Sequence, residues 1–171
     1  MGLVEGILSE FDQEAQTTRR VLERVPEEQL AWKPHPKSMS LGQLALHIAG
    51  SPGFIVGWLP LETTDFPDME AGPPQPKSSA EVLSAFDQSV ATVRRTLGQL
   101  GDAGLQGTCS FTKNGVPMMS MPKTAVVRTI ILNHSYHHRG QLSVYLRLLG
   151  VPVPSIYGPS ADENPFAVAR A

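Results

Sequence analysis

Apolar residues recur along this chain mostly in steps of three and four, with short proline-rich interruptions. Val4, Ile7, Leu8, Phe11, Ala15, Thr18, Leu22 and Val25 form one stripe. The period predicts an amphipathic helix from about Leu3 to Val25, closed by Pro26. Ser40-Leu41-Gly42-Gln43 is a helix start, because Ser40 can cap and Gln43 can reach back three residues. The second helix then carries Leu41, Leu44, Ala45, His47 and Ile48 on or beside its apolar stripe. Pro52 predicts a kink or a restart near Ser51-Pro52-Gly53, since proline removes a donor and crowds the preceding turn. Phe54, Ile55, Trp58 and Leu59 continue the pattern.

Pro60 to Lys77 reads as a long surface loop, acidic through Glu62, Asp65, Asp68 and Glu70 and broken by five prolines. Ser78-Ser79-Ala80-Glu81 opens a third helix with Val82, Phe86, Val90, Val93, Leu97 and Leu100, ending near Gly101. Asn114-Gly115 is a turn pair, and Thr108 to Thr112 with Val116 to Met119 are extended pieces that fit a small hairpin around it. Pro122 suits the first turn of a fourth helix, with a stripe of Val126, Val127, Ile130, Ile131, His134, His138, Gln141, Leu142, Tyr145, Leu148 and Leu149. Gly150 and Pro152 stop it. In the tail, Val153, Pro154, Ile156 and Tyr157 are placed to pack along the helices. Four long amphipathic segments without strong strands predict an all-α protein: one domain over residues 1–171, a four-helix bundle with long connections and a packed, extended C-terminal tail.

Composition narrows the function. The 171 residues are 41% hydrophobic and 18% charged, with net charge -2. There is no basic run to attract nucleic acid or an anionic membrane surface. No apolar run approaches the ~18 residues that span a bilayer, and Met1-Gly2-Leu3-Val4-Glu5 lacks the features of a signal peptide. A cytoplasmic protein without nucleic-acid or membrane partners is expected. Cys109 is the single cysteine, so no intramolecular disulfide forms. A buried or loop thiol is the simple reading of it, and a Cys-His nucleophile the weaker one.

The candidate chemistry lies in Asn133-His134-Ser135-Tyr136-His137-His138-Arg139-Gly140-Gln141-Leu142, which holds three of the five histidines. His134 and His138 share a helical face one turn apart, the spacing at which two imidazoles grip one divalent metal. Buried imidazoles need partners, since each unsatisfied polar group costs roughly 1–3 kcal/mol. His47 is a third inward candidate. Three neutral nitrogens with positions left over for water make an open metal site of the catalytic kind. A pair of His134 with His137, and a polar patch without metal, stand as alternatives. His137 points about 100° around the helix from His138, toward a pocket or an interface. Gln141 is placed to orient a ligand or metal-held water, and Arg139 to form an ion pair. His35, between two prolines, reads as an exposed loop residue. Both the Pro60–Lys77 loop and the Asp102–Met121 segment are candidates to line the pocket.

Together Ser40-Leu41-Gly42-Gln43-Leu44-Ala45-Leu46-His47-Ile48-Ala49, the Asn133–Leu142 stretch and Pro154-Ser155-Ile156-Tyr157-Gly158-Pro159-Ser160 resemble the DinB/YfiT-like family, and the match covers most of the chain. The resemblance implies a helical bundle whose histidine triad holds a divalent metal. Carried onto this sequence, the triad is His47, His134 and His138, with His137, Gln141 and Arg139 as pocket or supporting residues. Zinc or nickel is the expected ion, iron or copper the alternative. The resemblance also implies a homodimer and a small-molecule substrate. Relatives include S-transferases that use a low-molecular-weight thiol (bacillithiol, mycothiol or glutathione) and a maleylpyruvate isomerase. The expected function is therefore a metal-dependent S-transferase or hydrolase. The alternative is a non-catalytic metal or small-ligand binding protein of the stress response.

Overall fold

Each of the four amphipathic segments becomes a helix in the computed structural model, which describes residues 2–67 and 72–167. Helix α1 spans Leu3–Leu22, α2 Leu41–Val56 and α3 Ser79–Gly104. The fourth, α4, is built of three successive stretches: Lys123–Ala125, a π-helical Val126–Asn133, and an α-helical His134–Leu148. Ser40 caps α2 as expected: its Oγ accepts from the Gln43 amide at 3.1 Å, and the Gln43 side chain accepts from the Ser40 amide at 3.0 Å. Ser78 caps α3 through the Glu81 amide. The α1 amino end is capped from a distance, with the Asp102 carboxylate accepting from the Leu3 and Val4 amides.

The all-α expectation is overturned. A three-stranded mixed sheet accompanies the helices, with β1 at Thr63–Asp65, β2 at Thr108–Lys113 and β3 at Val116–Pro122. β2 and β3 form the hairpin expected around Asn114-Gly115, both of which have positive φ. β1 comes from inside the presumed irregular loop and pairs parallel to β2, so α3 is the crossover between them. A three-residue strand carries no usable period. Only the partner strand identifies it. Asp68 and Glu70, half of the expected acidic set of that loop, lie outside the described residues. The fold is thus four helices plus a small sheet.

Pro52 does not break α2, which runs through it without restarting. The Gly53 amide donates to Ser89 Oγ on α3 at 2.7 Å, so the helix pair supplies a partner outside the helix itself. The contact is close: a Cβ at residue 53 would sit 2.7 Å from the Ser89 Cα. We expect Gly53→Ala to force α2 and α3 apart and to cost about 1–3 kcal/mol, the range for overpacking. A urea midpoint equal to that of the wild type would refute this.

The apolar stripes of α1, α2 and α3 are buried largely as read, with Phe11, Leu44, Phe86 and Leu97 among the core residues. The α4 stripe is buried only in part as read: Val126, Val127, Ile131 and Leu142 are in the core. Leu132, Arg139 and Leu146 are buried, whereas Gln141 and Leu148 are exposed. A π segment bonds each amide five residues back and widens the turn, which rotates the later face relative to a 3.6-residue projection. Arg139 therefore points away from the histidines: it is 2% exposed, pairs with Glu14 at 2.7 Å and donates to Thr18 Oγ1 at 3.0 Å. The ion pair expected of Arg139 is thus interhelical and buried, and the residue takes no part in the pocket. In the tail, Val153 and Pro154 are buried, but Tyr157 is largely exposed, with its hydroxyl bonded to Arg139 and Glu14 and the Arg139 guanidinium 5.0 Å over its ring. Asp162 and Glu163 are not free charges, because they pair with Arg147 and Arg20 and pin the tail.

Candidate metal centre and its pocket

His47 enters from α2, one turn before Pro52; His134 and His138 enter from the α-helical part of α4, directly after its π segment. Their ring nitrogens meet. His134 Nε2 lies 3.4 Å from His47 Nε2 and 2.9 Å from His138 Nε2, and all three potential ligand atoms fall within 4.8 Å of one another. Two imidazole nitrogens on one ion at about 2.0–2.1 Å stand about 2.9–3.4 Å apart for angles between a right angle and a tetrahedral one. Both measured edges fall in that interval. The donor set of three imidazoles suits a borderline divalent ion.

Two polar neighbours decide which nitrogen of each ring is free. The Ser51 hydroxyl donates to the His47 carbonyl at 2.6 Å, so its oxygen remains to accept from His47 Nδ1 at 3.3 Å. Gln141 Oε1 accepts from His138 Nδ1 at 2.7 Å. With Nδ1 protonated in both rings, both Nε2 lone pairs face the centre. His134 sits between them: protonated at Nε2 it shares that proton with the other two rings, and in its Nδ1-protonated tautomer it offers a third Nε2 lone pair to the centre. Gln141 thus orients a histidine as its spacing suggested. Ser51 escaped the sequence reading, though its signal was present: a hydroxyl four residues after His47 on the same helical face. His137 is exposed, with its ring centroid 4.8 Å from that of His138 and outside the three-nitrogen cluster. His35 is exposed in its loop.

Burial, reinforced by the other histidines, brings His47 and His134 down to about 4. Burial also lowers His138, against the bond from Gln141. All three are neutral at pH 7 and ready to ligate. In the unfolded chain such imidazoles gain a proton near about 6.5. Below that pH the unfolded state binds more protons than the folded one, and stability falls with pH until His47 and His134 titrate near 4. Chelator-treated protein should therefore show a urea midpoint that drops steadily between those limits, with a shallower drop for His47→Gln. A flat profile would contradict the assignment.

Beside His47 and His134 opens a pocket of about 420 Å³. Its walls are mainly apolar: Phe54 and Trp58 follow from α2, Phe66 from the segment after β1, and Ile130 from the π stretch. The sheet stands behind it, with Phe111 of β2 at centroid distances of 5.6 Å from Trp58 and 5.2 Å from Phe66. The Pro60–Lys77 loop does line the pocket, through Phe66, Pro67, Pro73 and Pro74. The Asp102–Met121 segment supports it from behind. Cys109, also on β2, is buried against the Trp58 carbonyl, and burial pushes its thiol up. It is a packed thiol rather than a poised nucleophile.

The DinB family profile matches residues 3–165. The chain belongs to the DinB family. It is similar to the uncharacterized protein YrdA of Bacillus subtilis (strain 168), at 29% identity over 161 residues that cover 94% of this chain and 91% of YrdA. A DinB-like protein from Bacillus cereus ATCC 10987 superposes with a TM-score of 0.70 and 27% identity, over 90% of this chain and 97% of that one. The DinB-like protein YjoA of Bacillus subtilis shares the fold, with a TM-score of 0.64 at 21% identity over 86% and 95% of the two chains. Among the described residues, no helix is long and apolar enough to cross a membrane.

Proposed function

We propose that this DinB protein is a metal-dependent enzyme acting on a small molecule, with one divalent ion held by His47, His134 and His138. The convergence of the three ring nitrogens beside an open apolar pocket carries this reading. Zinc or nickel is the proposed ion, iron or copper the alternative. A bound ion supplies Lewis acidity there, enough to activate a thiol or a water as nucleophile at neutral pH. The chain's own residues prepare the site. Ser51 and Gln141 orient the His47 and His138 rings toward the centre, burial keeps the imidazoles unprotonated, and the aromatic walls exclude bulk water from one side. Thiol transfer comes first among the reactions, on the family resemblance, and hydrolysis second. The homodimer implied by the same resemblance belongs to this proposal, with sedimentation at micromolar concentration as its check.

Protein loaded with zinc or nickel should conjugate a low-molecular-weight thiol with a halogenated arene, or cleave an aryl ester, and a chelator should abolish turnover. Absence of turnover across glutathione, bacillithiol, mycothiol and the esters, with metal stoichiometrically bound, would sink the enzymatic reading. One observation favours the non-catalytic alternative: no carboxylate, lysine or arginine among the described residues lines the pocket to move a proton. In that case metal and ligand would bind together without reaction.

A further inference from the structure

α2 carries a glycine that neither turn geometry nor packing requires. Gly50 sits in mid-helix with ordinary φ, and, beyond its chain neighbours and the adjoining backbone of its own helix, a Cβ built there meets no atom of the described residues within 4 Å. This contrasts with Gly53, three residues on, where a Cβ would collide with Ser89. A glycine in a helix interior destabilises it relative to alanine through backbone entropy. Nothing in the fold offsets that at Gly50. Gly98 and Gly140 are helical glycines with equally open surroundings; Gly50 differs in bordering the pocket, on the same helix as His47, Ser51 and Phe54. Any side chain at residue 50 would take up pocket space instead of core space.

The chemistry of that space is consistent. Three aromatic rings, Phe54, Trp58 and Phe66, form a connected wall with centroid spacings of 5.6 and 5.4 Å. Ile130 and prolines contribute further apolar surface, and the polar groups are Ser51 and the two histidines. An ion brought into the metal-free pocket loses its hydration and finds no opposite charge among the described walls. A flat uncharged ring loses little and stacks on the aromatic faces and edges. The volume of about 420 Å³ lies in the range of small-molecule sites.

We propose that the pocket selects an uncharged aromatic or similarly flat apolar molecule, that it presents this molecule to the histidine triad, and that Gly50 keeps the space open as a specificity-determining residue. The inference deepens the enzymatic reading and rests on it for what happens at the reacting end. The test uses 2-naphthol and 2-naphthoate at pH 7, titrated calorimetrically into chelator-treated protein, so that neither binds through a metal. The neutral probe should bind, and the carboxylate at least about tenfold more weakly, a difference of about 1.4 kcal/mol. Gly50→Leu should raise the melting temperature, retain stoichiometric zinc and lose the probe at least about tenfold. Phe54→Ala, at a side chain 57% exposed, should fold normally and weaken the probe several-fold. Equal or tighter binding of the carboxylate, or full probe affinity in Gly50→Leu, would overturn the proposal. Failure of the neutral probe to bind zinc-loaded and metal-free protein would also overturn it, and would leave the metal site standing. Probe binding without any metal uptake would support the pocket and sink the metal-dependent enzyme.

Discussion

Changing His134 to alanine should leave the protein folded and without its metal. His134 Nε2 is the shared vertex of the cluster, 3.4 Å from His47 and 2.9 Å from His138. Its removal leaves one donor on each helix and no bridge between them. Loss of groups that merely orient a ligand costs roughly 10–100-fold in metal affinity, so loss of the central ligand should cost at least about 100-fold. The fold should persist, because the ring is only partly buried and alanine favours the helix. Elemental analysis of untagged protein, with circular dichroism as the check on folding, should find about one metal per wild-type chain and none in the variant. His137→Ala is the matched control and should keep its metal, since that ring is exposed and outside the cluster. A His134→Ala protein with full metal content would refute the site, as would a wild type with no affinity for zinc or nickel.

Arg139→Ala should give the largest loss of stability among these variants. Arg139 is 2% exposed, and its guanidinium is bonded to the Glu14 carboxylate, the Glu14 carbonyl, Thr18 and Tyr157. Taking away one member of a buried ion pair costs about 3–5 kcal/mol, chiefly because the other charge is stranded. The Glu14 side chain is 19% exposed, so water relieves part of that penalty and the lower end, about 3 kcal/mol, is expected. For a chain of this length that corresponds to a melting temperature lower by roughly 6–12 °C. Metal content should not change, because the cation lies off the histidine face. The double substitution Arg139→Met with Glu14→Leu should recover most of the loss, since an apolar pair of similar volume often replaces a buried ion pair without penalty. A shift below about 2 °C for Arg139→Ala would show the pair to be dispensable; the double variant matching the single one would show that the stranded charge is not the cause.

Legibility in the sequence followed the length scale of the interactions. His134 and His138 were readable as a pair because four residues within one α-helical stretch stay in phase. The Ser40 and Ser78 caps were readable because a cap joins residues three apart. Leu146 and Arg139 were missed as buried residues because the π segment Val126–Asn133 shifts the phase between the two ends of one helix. β1 was missed because three residues in a proline-rich loop become a strand only when β2 lies beside them.

By itself, then, the sequence determined four amphipathic helices, the hairpin turn and the three histidines, since local bonding and the helical period are properties of nearby residues. Only the tertiary structure decided that β1 joins the hairpin in a sheet and that Arg139 turns inward to Glu14. It also decided that Ser51 orients His47, and that Gly50 faces open space beside an aromatic wall. Each depends on which surface a distant segment presents, and a one-dimensional period carries no information about that. The triad unites both kinds of information: spacing along α4 supplies two nitrogens, and the packing of α2 against α4 brings the third to within 3.4 Å.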